Sequence, residues 1–270
     1  REIKRSMGIS VNMYDYAPAG TTNWSDALNE AIVDVGTTYG ATGDTSLIIP
    51  AGNFNLPAAI IMDYPVSIRG QGLGQSVLQP THSGTGILVT GKYGTCPRLE
   101  DFSIAFSGTN GTAHIQATSF QDVGTPSINY SPDFLYFSNL NLTCYSGHTV
   151  AYNIVLDGNS RINDVGGTVP IGLRSITLKD IVMFNASFRG LDLRHVRVSA
   201  CYSAHVYGSD GVGGAATTGY DASHKNYDNK FFGCSINGLF AVSESDATEL
   251  HGSTVGTLSL GAGVTNFVDV

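Results

Sequence analysis

The feature that most constrains this chain is the rhythm of its apolar residues. From Ser46 onward they come in short runs of alternating positions closed by Gly, Asn or Ser, and no helical segment separates one run from the next. Ser46-Leu47-Ile48-Ile49-Pro50-Ala51-Gly52-Asn53-Phe54 reads as strand, turn and new strand, and Val66 to Leu78 repeats it. The segments Arg98 to Ile104, Leu135 to Leu142, Ile176 to Met183 and Leu191 to Val198 read as copies of one unit: a strand, a polar corner and a second strand. Asn229 to Gly238 is a looser copy. Such corners, with no helix to bring the chain back, fit a coil whose strands pair with those one turn earlier and later. An up-and-down barrel would need longer strands and two-residue hairpins.

The expected fold class is therefore all-β, a right-handed single-stranded parallel β-helix, with residues 46–270 forming one continuous solenoid. Alternation predicts Ile176, Leu178, Ile181 and Met183 inside the coil and Thr177, Lys179 and Asp180 outside. Residues 1–45 hold a first strand and a capping helix. That helix runs from about Ser25 to Val35, since Leu28, Ala31, Ile32 and Val35 share one face, with Asn23 or Ser25 at its start and Gly36 at its end. Laid over the first coil, it would block edge-to-edge pairing. Residues 108–133, 157–172 and 208–229 break the rhythm and read as loops.

Composition narrows the partners. Charged residues are 13% of the chain, about half the usual share, and the net charge is −8, so no basic field invites a nucleic acid backbone. No run of eighteen apolar residues suggests a membrane span, and the first residues lack the apolar stretch of a signal peptide. A chain that starts without Met and ends in mid-rhythm at Phe267-Val268-Asp269-Val270 suits an internal piece of a longer fibre. Cys96, Cys144, Cys201 and Cys234 are far apart and read as buried apolar side chains, with two disulfides as the alternative. The Asn-x-Ser/Thr triplets at Asn23, Asn110, Asn141 and Asn185 match chance in so Asn-, Ser- and Thr-rich a chain. Gly70-Gln71-Gly72-Leu73-Gly74 is followed by a strand pattern, not a helix, so its glycines serve a turn rather than a dinucleotide.

The order Val11-Asn12-Met13-Tyr14-Asp15-Tyr16, then Trp24 to Ile32, then Ile49-Pro50-Ala51-Gly52-Asn53-Phe54, then Ile68-Arg69-Gly70-Gln71-Gly72, resembles the N-terminal module of the pectate-lyase-like superfamily, to which bacteriophage tailspikes belong. Those motifs cover about a quarter of the chain; the rest matches only through the rung pattern. Here Asp15-Tyr16 is followed by Ala17-Pro18-Ala19-Gly20, and Asn23-Trp24 replaces the second acidic turn of the family pattern. The resemblance implies a β-helix, a carbohydrate ligand or substrate and, for tailspikes, a homotrimer on a virus particle beside other tail proteins. It assigns no catalytic residue, because members place theirs on different rungs and at different subunit boundaries.

Hydrolysis of a glycosidic bond needs two carboxyl groups held across it. The richest supply runs from Asp192 to His251. Asp192 and Arg194 share a strand face, His205 follows one strand later, and the next loop carries Asp210, Tyr220, Asp221, His224, Lys225 and Asp228 before Glu244, Asp246 and Glu249. The catalytic carboxylates are expected among Asp192, Asp210, Asp221 and Glu244. Substrate contacts are expected from Arg194, His205, Tyr207, Tyr220, His224 and Tyr227, with phenol rings stacking on sugar faces. The plainer account of the same residues is surface ion pairing, and for His205 a hydrogen-bonded wall position. Core stacking inside the coil accounts equally well for most Phe, including Phe231 and Phe232.

A lyase would need a base together with Ca²⁺ or Arg, and Asp157-Gly158-Asn159 with Asp164 is a weak calcium signal, so no metal or cofactor is expected and hydrolysis is preferred over elimination. The expected function is a tailspike-like protein of the virion tail or extracellular space that binds and cleaves bacterial surface polysaccharide. The alternative is a non-catalytic glycan-binding or structural spike domain.

Overall fold

The computed structural model describes residues 9–18, 20–39, 45–93, 97–122, 128–162, 172–194, 196–208, 226–242, 245–261 and 264–270. A strand, β1 (Ile9–Asn12), leads through a short 3-10 turn into α1 (Trp24–Tyr39), and the elements after α1 are strands. They wind in triplets. The first coil holds β2 (Thr45–Ile48), β3 (Gly52–Leu56) and β4 (Ile60–Met62), and the second β5 (Ser67–Arg69), β6 (Ser76–Pro80) and β7 (Ile87–Val89). In later coils neighbouring strands fuse: β8 (Arg98–Phe106) spans two walls before β9 (Gly111–Asp122). After β10 (Ile128–Tyr130), β11 (Tyr136–Cys144) does the same before β12 (Val150–Ile162), and β13 (Leu173–Arg194) crosses all three walls. The last coils contain β14 (Val196–Tyr202) and β15 (His205–Gly208), β16 (Asn226–Phe232) and β17 (Ser235–Val242), β18 (Ser245–His251) and β19 (Thr254–Leu260), then β20 (Thr265–Asp269).

Pairing between coils is parallel, and among the described strands only β10 runs antiparallel, against β9. The register stacks like on like. On the first wall Ile68, Leu99, Phe137, Leu178, Cys201, Phe231 and Leu250 stand one above another, each at most 5% exposed. This is the right-handed parallel β-helix that the apolar rhythm predicts, and Ile176, Leu178, Ile181 and Met183 are all buried as expected. One column is polar: Ser199 Oγ donates to Asn229 Oδ1 (2.6 Å) on the next coil, with Thr248 in register above, and Asn229 and Thr248 are fully buried. Such a ladder satisfies buried polar groups rung to rung.

The corner between the first and second walls is the polar corner of the sequence units. Asp101, Asn139, Asp180 and Ser203 take φ of 62°, 50°, 52° and 49° there, and Gly233 and Gly252 take over at 58° and 56°. Short polar side chains tolerate this left-handed bend because they can bond locally. Asn139 Nδ2 donates to Asp101 Oδ1 at 2.8 Å, linking two coils. Gly70 holds the corresponding place one coil earlier, where a Cβ would lie 2.2 Å from the Asp101 carbonyl oxygen. The turn reading of the glycine cluster holds as well, with Gly72 at φ 129° and Gly74 at φ 72°.

Three expectations need correction. The helix does not stop at Gly36 but continues to Tyr39, because Gly36 is where Tyr64 crosses it, 2.4 Å from where a Cβ would be. Parts of all three expected loops are strand: residues 111–122 are β9, whose Ala113, Ile115 and Ala117 face the core, residues 157–162 end β12 and residues 226–229 begin β16. Leu191 to Val198 is not a copy of the Leu178 corner, since Leu191 pairs with Ile154 on the third wall and Val196 opens the next coil on the first. The capping role of the helix does appear. Asn29 donates to the Ala59 carbonyl (3.0 Å) and accepts from the Ile61 amide (2.7 Å), meeting backbone groups at and just before β4 on the side that no described strand pairs.

Candidate functional site

Outward side chains of the first wall form a shelf. Register places Tyr202, Phe232 and His251 in one column on β14, β16 and β18. Their rings stack at 5.0 Å and 10° for Tyr202–Phe232 and at 4.8 Å and 13° for Phe232–His251. Coil spacing of about 4.8 Å imposes this stacking on any flat rings placed at successive positions. The core-stacking account holds for Phe231 but not for Phe232, which, one residue on, faces outward.

The neighbouring column carries Arg98, Tyr136, Thr177, Ala200, Lys230 and Glu249. Lys230 Nζ lies 3.3 Å from Asp228 and 3.2 Å from Glu249, so the two carboxylates are at most about 6.5 Å apart at those oxygens. His251 Nε2 meets the other Glu249 oxygen at 2.7 Å. The hydrogen bonds from His251 and Lys230 hold Glu249 below the ordinary carboxylate range, and Glu249 and Asp228 together hold Lys230 above its own ordinary value.

The opposite lip of the shelf is strained. Phe134, Ser175 and Asp228 each stand two residues before their wall position and take φ of 57°, 57° and 50°. For a bulky residue such as Phe134, which is 57% exposed, this conformation is an outlier, and strain of this kind concentrates at functional sites. Asp133 holds the bend in place: its carboxylate accepts from the Arg174 backbone amide (3.0 Å) and pairs with the Arg174 guanidinium (3.0 Å), while Phe134 N–H donates to the Arg174 carbonyl (2.9 Å). Between lip and shelf runs a cleft of about 530 Å³, lined by Arg98, Phe134, Tyr136, Tyr202, Asp228 and Lys230 among others.

The residues singled out in the sequence are spread over three walls. Asp192 and Arg194 share a face, on the third wall. Asp192 is fully buried, gripped by Arg194 (2.7 Å) and Arg189 (3.0 Å), and Arg194 also reaches Asp157 at 3.3 Å. Burial works against the Arg194 charge, but Asp192, with help from Asp157, outweighs it and raises the guanidinium above its ordinary value. His205 and Tyr207 lie on the second wall, where Tyr207 stacks on Phe184 at 4.6 Å and 8°. Tyr227 has its backbone in β16 on the first wall, and its side chain lies outside the described residues, as do Asp210, Tyr220, Asp221, His224 and Glu244 entirely. Asp164 of the calcium reading also lies outside them, while Asp157 is committed to Arg194. No group of three His, Cys, Asp or Glu suited to a metal occurs among the described residues. Asp228, Glu249 and Tyr202 belong to the stretch that the sequence singles out, but their grouping with Lys230, Phe232 and His251 was missed. Aligning Lys230-Phe231-Phe232-Gly233 with Glu249-Leu250-His251-Gly252 would have found it.

No family model and no curated protein matches the sequence. The fold does match solved structures. The bacteriophage CBA120 tailspike protein 2 enzymatically active domain is similar with a TM-score of 0.58 at 15% identity, over 97% of this chain and 43% of that one. The bacteriophage Phi29 gene product 12 N-terminal fragment is similar with a TM-score of 0.57 at 11% identity, over 96% and 43%. This chain spans less than half the length of either. The likeness shows the fold, a parallel β-helix that this chain shares with both phage proteins, as the N-terminal motifs led one to expect.

Proposed function

We propose that the protein is a tailspike-like β-helix that binds bacterial surface polysaccharide along the first wall and cleaves it there by hydrolysis. The observation that carries this reading is the open cleft lined by Tyr202, Phe232, Asp228 and Lys230, at whose end, one coil on, Glu249 shares Lys230 with Asp228 and His251 continues the ring stack. Sugar rings pack their C–H faces on flat aromatic surfaces, which suits Tyr202 and Phe232. Glu249, held ionised, serves as base or nucleophile, and Asp228, on the lip, serves as the acid toward the leaving oxygen once the substrate displaces it from Lys230. Asp192 is bound by two guanidinium groups and is assigned a scaffolding role. Asp210, Asp221 and Glu244 stay within the proposal as further carboxylates to test. A homotrimer on a virion tail belongs to the same proposal, and light scattering showing a stable monomer would remove it.

The second reading, a glycan-binding spike without catalysis, has its own support: Asp228, Lys230, Glu249 and His251 already satisfy one another's charges. The deciding experiment incubates the protein with a panel of purified capsular and O-antigen polysaccharides while measuring new reducing ends and unsaturated-uronate absorbance. Hydrolysis gives reducing ends without absorbance at the uronate band. Glu249→Gln and Asp228→Asn are expected to lower turnover about 10²- to 10⁴-fold with binding retained. Binding without turnover in the unaltered protein would replace the enzyme by the spike reading.

A further inference from the structure

The first wall carries a second cleft, of about 580 Å³, lined by Ile48, Arg69, Gln71, Gly72, Asp101 and Asn139 with Gly70 at its base. It lies toward the N-terminal end of the same face. Register shows how the two clefts are joined: Ile48, Arg69, Glu100, Ser138, Lys179, Tyr202, Phe232 and His251 form one unbroken outward column. Arg69 stands in this column at the second cleft, and Phe232 lies in the first. Five coil steps separate them, or about 24 Å at the spacing of paired strands.

The second cleft is built, not incidental. Asp101 is bent into the left-handed region at the wall corner. One carboxylate oxygen accepts from Asn139 Nδ2 (2.8 Å) and the other from Arg69 Nε (3.1 Å). Asp101 is bonded to the guanidinium at Nε, neither terminal nitrogen has a hydrogen-bond partner among the described residues, and Arg69 keeps 59% of its side chain exposed. A guanidinium fixed at one edge and open at the other offers a rigid fork of donors. Gly70 keeps the floor low, because any side chain there would strike the Asp101 backbone.

We infer that this cleft is a distal subsite for the same glycan chain that occupies the shelf, so that the protein grips a long polysaccharide over both clefts. Arg69 donates to oxygen atoms of a sugar unit several residues away from the Asp228–Glu249 pair, and Lys179, exposed between the clefts, borders the path. The inference rests on the glycan reading of the shelf. Its consequence is dependence on chain length: fragments long enough to reach from Phe232 to Arg69 bind better than those that fill the shelf alone.

The test uses the full chain and the same panel of purified O-antigen and capsular polysaccharides, each cut and size-fractionated into pools of two to four and of eight or more sugars. For a polysaccharide that binds, the long pool is expected to bind at least about tenfold tighter than the short pool, and Arg69→Ala is expected to bring that ratio close to one. Gln71→Ala, an exposed change on the same cleft, is expected to lower it in the same direction. Equal affinity for the two pools in the unaltered protein overturns the distal subsite while leaving the shelf intact. So does a length preference that both variants keep. Failure of every pool to bind overturns the subsite and the shelf together.

Discussion

His114 should make the fold labile to acid. It lies on β9, fully buried, where its Nε2–H donates to the Thr143 carbonyl at 2.6 Å and its ring meets Phe106 edge-on at 5.8 Å. Its Nδ1 has no hydrogen-bond partner, nor does the side-chain amide of Asn153, at the neighbouring position of the next coil. Burial lowers the pKa of His114 from 6.5 to about 4, and the hydrogen bond to Thr143 and the nearby Asn153 amide offset this only in part. The folded state therefore favours the neutral ring.

Above about pH 6.5 both folded and unfolded chains hold His114 neutral, and its titration does not affect stability. Between pH 6.5 and 4 the unfolded chain takes a proton that the fold refuses, so stability falls with falling pH. At about 1.4 kcal/mol per pKa unit the full loss is about 3 kcal/mol, complete near pH 4, where the folded ring also titrates. Denaturant unfolding at pH 7, 6, 5 and 4, on the unaltered protein and on His114→Gln, isolates this contribution from that of the carboxylates. The Gln amide still donates to Thr143 but cannot titrate. The two curves should converge by about 3 kcal/mol as pH falls from 7 to 4. Curves that stay parallel would refute the argument and show that His114 is protonated in the fold, with water or a rearranged Asn153 taking its second proton.

Other perturbations follow from the same register. Phe232→Ala removes the middle ring of the Tyr202–Phe232–His251 stack and should weaken glycan binding about tenfold by isothermal titration while leaving the melting temperature within a few degrees, because Phe232 is outside the core. Asp192→Ala leaves Arg189 and Arg194 without their shared carboxylate and should cost about 3 kcal/mol in denaturant unfolding, whereas Asp192→Asn, which keeps acceptors, should cost less. Gly70→Ala forces a Cβ against the Asp101 carbonyl and should lower stability by about 1–3 kcal/mol; an unchanged unfolding midpoint would show that the corner can move.

The coil was legible in the sequence because its cause is local: alternation decides which side chains face in, and Asp101, Asn139, Asp180 and Ser203 are the residue types that a left-handed corner tolerates. The site was not, because its cause is the register between distant segments. Asp192, His205 and Asp228 are near one another in sequence, yet a coil turns through three walls in that stretch, and each comes out on a different one. Glu249 and Lys230 are separated by a full turn and meet at 3.2 Å. In a solenoid, then, sequence proximity groups residues around the circumference, whereas function along a polymer needs residues grouped down the axis. The informative comparison is between equivalent positions of successive repeats. That rule carries through to Arg69, whose place in a turn motif says nothing of a site, but which stands in the column that ends in Phe232 and His251.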